Sequence, residues 1–192
     1  RTRDTPMVYA VASGVLEVQQ ELIKSRADAS ARTSLGLTML DIGVITHKAD
    51  SVRFALTLAD VPRTCNEHGL NALHMAASFD ATWEMTATLV DAGISLTDRF
   101  RPKFGSIWWM ISWKFVLSYR LGRRGPLDRC FYHGLGGGPL HFAAAAGNAS
   151  VLRTLMELRA DPAFRNSHGV SVEELMAATR SDDVRRWLAP CF

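Results

Sequence analysis

Between Gly136 and Ala160, apolar and small residues fall in two short bursts separated by a glycine. The first, Pro139-Leu-His-Phe-Ala-Ala-Ala-Ala146, opens with proline, which the first helical turn tolerates because its N–H would be unpaired there anyway. Four alanines then favour helix and let a neighbour come close. Gly147 permits the left-handed residue that stops the helix. The second burst, Val151-Leu-Arg-Thr-Leu-Met156, spaces its apolar residues by three and four, one face of a helix. The stretch predicts a helix–turn–helix pair. No strand pattern of useful length lies between such pairs, so an all-α fold is expected.

The pattern recurs. Gly69-Leu-Asn-Ala-Leu-His-Met-Ala-Ala77 matches Gly136-Gly-Gly-Pro-Leu-His-Phe-Ala-Ala144 in its Gly, Leu, His and paired Ala. The offset is 67 residues, close to twice 33. Steps of 33 reach Gly36-Leu-Thr-Met-Leu, Arg3-Asp-Thr-Pro-Met and Gly169-Val-Ser-Val-Glu. Arg26-Ala-Asp28 and Arg159-Ala-Asp161 repeat at matching places. The unit from Gly36 departs from the pattern, with Asp41 in place of His and Gly43-Val44 in place of paired Ala.

A 33-residue period with Thr-Pro-Leu-His-x-Ala near its start resembles the ankyrin-repeat family. Thr5-Pro6-Met7-Val8-Tyr9-Ala10, Ala72-Leu73-His74-Met75-Ala76 and Pro139-Leu140-His141-Phe142-Ala143 carry the resemblance. It implies one all-α solenoid domain, 1–192, of stacked helix-turn-helix pairs with hairpin-like loops. The units are expected at about 3–33, 34–66, 67–98, 134–166 and a C-terminal cap at 167–192. An atypical unit, 99–133, fits only by length. The resemblance also implies a structural role for His74 and His141. Trp83 is expected to pack at the start of a second helix. In the cap, Ser171-Val-Glu-Glu174 reads as a capping box, and a last helix over Asp182–Leu188 is expected to close the core with Trp187 and Leu188.

Charge changes the picture at one place. Between Asp98 and Arg129 stand eight Lys/Arg and two Asp, while the chain as a whole is only +3. Three of the five tryptophans fall in Trp108–Trp113. A helix over about Ser106–Leu121 would be apolar nearly all round, and such a helix is buried by something. A protein partner, docked through Trp108, Trp109, Trp113, Phe115 and Tyr119 with Arg99, Arg101, Lys103, Arg123 and Arg124 at the rim, fits the residue types of interface hot spots. Burial within the stack is the bland alternative. A membrane surface comes third, since basic residues flank an aromatic helix. Nucleic acid is disfavoured, because no open polar basic stripe with spaced aromatics is present. Pro126–Tyr132 reads equally as a stunted helix or a loop. Gly134–Gly138 reads as a flexible return into the regular stack.

Chemistry adds little. The sequence has no H-E-x-x-H, P-loop, nucleophile elbow or C-x-x-C, so no catalytic set, metal site or cofactor is expected. His133, His141 and Asp128 form the one local cluster an enzyme reading could use. Three scattered cysteines fit unpaired thiols in a reducing compartment, so the protein is expected to be intracellular, cytoplasmic or organellar, and not secreted. No secretory signal stands at Arg1, and the non-Met start is compatible with a removed leader. The resemblance implies a non-enzymatic protein–protein interaction scaffold. The alternative is a permanent accessory subunit of a large, membrane-bound or organellar assembly.

Overall fold

Short amphipathic bursts bounded by caps fold as short helices. The structure, a computed structural model, describes residues 5–66 and 68–179, so the expected helix Asp182–Leu188 lies outside the described residues. The described helices are α1 Pro6–Ser13, α2 Leu16–Lys24, α3 Met39–Ile45, α4 Ala49–Thr57, α5 Ala72–Ser78, α6 Trp83–Asp91, α7 Ile107–Arg120, α8 Pro126–Gly134, α9 Pro139–Ala146, α10 Ala149–Glu157 and α11 Val172–Thr179. Extended pairing among the described residues is limited to a single bridge, Arg165 with Ser171. The fold is the expected all-α stack.

The repeated motif is a cap. Asn71 precedes α5, its side chain accepts from the His74 N–H at 3.1 Å, and its own N–H donates to His74 Nδ1 at 3.2 Å. At the start of α3, Thr38 and Asp41 make the same reciprocal pair, at 3.2 and 2.9 Å. Asp41 therefore replaces His because either side chain can close the box at the third helical position. Ser171 and Glu174 close the box expected for α11, at 3.0 and 3.1 Å. The second helices α2, α6 and α10 are followed by left-handed residues, Arg26, Gly93 and Arg159, whereas α4 ends in extended Leu58.

First helices pack in the order α1–α3–α5–α9–α11, and second helices in the order α2–α4–α6–α10. The core is a strip through this stack, with Val11, Leu40, Leu73, Leu89, Leu155 and Val172 fully or almost fully buried. Polar bonds tie one layer to the next. Asn66 Nδ2 donates to Asp41 Oδ2 (3.2 Å), Asn71 Nδ2 to the Ser95 carbonyl (2.8 Å), and His141 Nε2 meets the Val170 carbonyl (3.1 Å). Burial holds the His74 imidazole down to about 4, so it is neutral, against the opposing pull of Asp98. Trp83 does open α6, but it is 57% exposed rather than packed.

The stacking order skips α7 and α8. The α5 and α9 helices touch directly, with the His74 and Phe142 rings edge to face at 5.1 Å. Asn148 Nδ2 donates to the Ala77 carbonyl at 2.9 Å. The expectation that 99–133 supplies a layer of its own between these neighbours therefore differs from the contacts. The turns explain why. In the regular turns, Asn66 N–H donates to the Leu70 carbonyl (2.7 Å) and Gly69 N–H to the Asn66 carbonyl (3.0 Å). The Asn166, Gly169 and Val170 turn repeats this, at 3.0 and 3.0 Å. Phe100 N–H donates to the Gly137 carbonyl (2.9 Å) and Gly136 N–H to the Phe100 carbonyl (2.8 Å), which is the same pair of bonds. Two residues separate Asn166 from Gly169, whereas residues 101–135 separate Phe100 from Gly136. The 35 residues exceed two by 33, one repeat length. An insertion at a turn tip thus keeps every later repeat in register, which is why it reads as a unit.

The glycines at this neck are tight rather than a flexible return. Gly136 has φ +67°, and a Cβ there would lie 2.9 Å from the Ser167 backbone nitrogen. Gly93 has φ +83° with nothing within 4 Å of such a Cβ. Gly93→Ala is expected to cost about 1–2 kcal/mol from the left-handed backbone alone. Gly136→Ala is expected to cost roughly 2–4 kcal/mol, because strain and collision combine. Urea unfolding of the two variants measures the difference.

Candidate interaction surface on the inserted helix pair

The insertion is an α-helical pair standing on a two-bond neck. Ser106 caps α7 by accepting from the Trp109 N–H at 3.1 Å, and Leu121 follows its last turn. The helix therefore spans the expected stretch with Ser106 and Leu121 as its caps. The stretch from Pro126 is helical after all: α8 starts at Pro126, and Gly125 N–H donates to Asp128 Oδ2 at 3.1 Å. The α8 helix packs on α7 on one side and α9 on the other.

One side of α7 is internal. The Trp108 ring lies 4.5 Å from the His68 ring, and His68 Nε2 meets the Leu35 carbonyl. Phe115 stacks on Phe131 at 4.9 Å and 10°, and Phe131 meets the buried Phe100 edge-on at 6.2 Å. Tyr119 stacks on Tyr132 at 4.2 Å, which stacks in turn on His168 at 4.2 Å. The Tyr119 hydroxyl is 3.0 Å from His133 Nε2. Burial, reinforced by the nearby His168, holds His133 down to about 4 and neutral. Arg124 lies 3.9 Å over the Tyr119 ring and donates to the Tyr119 carbonyl at 2.6 Å. Among the expected docking residues, Trp108, Phe115 and Tyr119 are thus partly buried within the chain, and Arg124, though exposed, is held against Tyr119. Arg99 braces the neck, 4.2 Å over the Phe164 ring and donating to the Gly136 and Arg165 carbonyls at 3.3 and 3.2 Å.

The opposite side is open. Met110, Trp113, Leu117 and Leu121 recur at three- and four-residue spacing, and are 63%, 49%, 54% and 76% exposed. Lys114 and Arg120 flank this stripe by helical geometry, and both are exposed. Phe104 is 82% exposed and touches Trp109 edge-on at 4.8 Å; Trp109 in turn lies 6.0 Å from Trp113. Beside the stripe, between α7 and the neck, is a cleft of about 280 Å³ lined by Phe100, Arg101, Trp109, Trp113, Val116 and Leu135 among others. Lys103 and Arg123 are exposed. Met110, Leu117, Leu121 and Phe104 were not singled out from the sequence. Their spacing was readable, but a helix apolar all round gives no sign of which side faces out.

Asp128, His133 and His141 each have a partner of their own within the chain. Asp128 caps α8, His133 faces Tyr119, and His141 faces Val170. Burial pushes the Cys65 thiol up to about 12, with Asp98 adding to it, and the Cys130 thiol up to about 11. Among the described residues, no three His, Cys, Asp or Glu come together as a metal site would need. No described helix is long and apolar enough to cross a membrane.

The two sides of α7 predict opposite mutational responses. Phe115→Ala is expected to lower stability by roughly 2–4 kcal/mol, since it opens a cavity against Phe131. Leu117→Ser and Met110→Ser are expected to stay within about 1 kcal/mol of the parent, because both side chains already face water. Thermal unfolding of the three variants followed by circular dichroism measures this.

Comparison with known proteins agrees with the geometry of the regular layers. No curated protein matches the chain. Residues 136–167, which hold α9, α10 and the start of the turn leading to α11, match the model of the ankyrin repeat. The capped helix pairs and the stacked order agree with this match, which identifies an ankyrin repeat at residues 136–167.

Proposed function

We propose that this chain is a non-enzymatic scaffold that docks a protein partner, and that its docking surface is the inserted helix pair. Ankyrin repeats are protein–protein interaction modules. The five layers α1–α2, α3–α4, α5–α6, α9–α10 and α11 would then form one domain that carries the insertion. The observation behind the proposal is the exposed stripe Met110, Trp113, Leu117 and Leu121, with Phe104 nearby. A contiguous exposed apolar stripe with a polar rim marks an interaction site on a folded protein. Trp109 and Trp113 supply the aromatic anchors, and Arg101, Lys103, Lys114, Arg120 and Arg123 supply the rim.

The reading differs from the sequence expectation in which residues do the docking. Trp108, Phe115, Tyr119, Arg99 and Arg124 hold the insertion together, so they act by shaping the surface. A photo-reactive amino acid at Leu117, in the full chain and in extract of its native cells, tests the proposal, with the same probe at Glu157 on α10 as reference. The expected result is one protein adduct at Leu117 that Met110→Ser suppresses and that is absent at Glu157. Adducts only within the chain, or to lipid, would overturn it.

A further inference from the structure

We infer that the element docked on the insertion is an acidic segment of a protein, with one large apolar side chain entering the cleft beside α7. The inference rests on the docking reading above and adds the chemistry of the partner. It begins with charge. From Arg99 to Leu127 there is no Asp or Glu, and there are seven Lys or Arg. The ion pairs found among the described residues, Lys24–Glu21, Arg53–Asp50, Arg53–Glu84 and Arg165–Glu174, all lie in the stack. Arg101, Lys103, Lys114, Arg120 and Arg123 are exposed and make no ion pair with any described residue. A single-sign field of this kind steers and selects partners of opposite charge.

Shape narrows the class further. The cleft of about 280 Å³ is walled by Phe100, Trp109, Trp113, Val116 and Leu135, with Arg101 on its lining. Small-molecule pockets run from roughly 300 to 1,000 Å³, so this one suits a single large side chain. A recess between a helix and the neck of an insertion accepts a protruding side chain, whereas a lipid surface lies flat across an amphipathic helix. Trp113 belongs to both the cleft and the exposed stripe, so one segment can fill the recess and continue along Leu117 and Leu121. Carboxylates on that segment would meet Arg101 and Lys103 at one end and Lys114 and Arg120 along the stripe.

The probe is a library of random peptides, about 12 residues long, displayed on phage and selected on the intact chain at about 50 mM salt. The expected consensus has several Asp or Glu around one Trp, Phe or Leu. A labelled synthetic peptide of that consensus should bind roughly tenfold more weakly at about 300 mM salt, and roughly tenfold more weakly to the Arg101→Glu, Lys103→Glu double variant. Both substitutions are at exposed positions, and unchanged circular dichroism confirms folding. Trp113→Ser should abolish binding, and if it unfolds the chain the charge variant alone decides. No selection, a consensus without acids, or binding indifferent to the charge variant would overturn the inference. So would binding of vesicles containing about 30% phosphatidylserine in place of peptide. A protein adduct at Leu117 combined with a non-acidic consensus would leave the scaffold reading standing and remove this one.

Discussion

Two backbone hydrogen bonds, between Phe100 and the Gly136–Gly137 pair, close the turn that joins α6 to α9 as other turns of the stack are closed. They matter because a solenoid is stable only where each layer touches the next. The neck returns the chain after 35 residues to the place where a two-residue tip would have returned it. With the neck closed, α5 meets α9 and α6 meets α10, and the buried strip passes without a gap from Leu73 and Leu89 to Leu155. Gly136 is required at this point by its positive φ and by Ser167 packed against it. Phe100, fully buried against Phe131 and Phe142, anchors the neck to both the insertion and the stack.

That arrangement sets what the insertion can do. A helix pair outside the stack has one partner surface, so α8 is sandwiched between α7 and α9, while among the described residues α7 is covered on one side. The aromatic contacts of Phe115 and Tyr119 fix α7 in place, and its remaining apolar residues are left facing water. A stack layer would have covered both sides. The insertion thus combines a supported helix, exposed Met110, Trp113 and Leu117, and exposed cations that form no ion pair with a described residue, and the docking proposal rests on this combination.

Much of this was legible in the sequence. The helix pairs followed from apolar spacing and from Pro139 and Gly147, and the capping box from Ser171 and Glu174. The place of α7 between Ser106 and Leu121 was readable too. Two features were not. The insertion equals one repeat in length, so period counting cannot separate it from a degenerate unit; only the pairing of Phe100 with Gly136 and Gly137 does. The outward side of α7 was also hidden, because Trp108, Phe115 and Tyr119 are as apolar as Met110, Trp113 and Leu117. Which of them face inward depends on Phe131, Tyr132 and His68, residues distant in sequence.

The central claim is that the repeat stack is continuous across the insertion. Its most direct test is a nuclear Overhauser effect between the rings of His74 and Phe142, which lie 5.1 Å apart edge to face. A strong cross-peak between the two rings is the predicted result. If that cross-peak is missing and His74 instead shows contacts to residues of α7, a layer lies between α5 and α9 and the account is wrong.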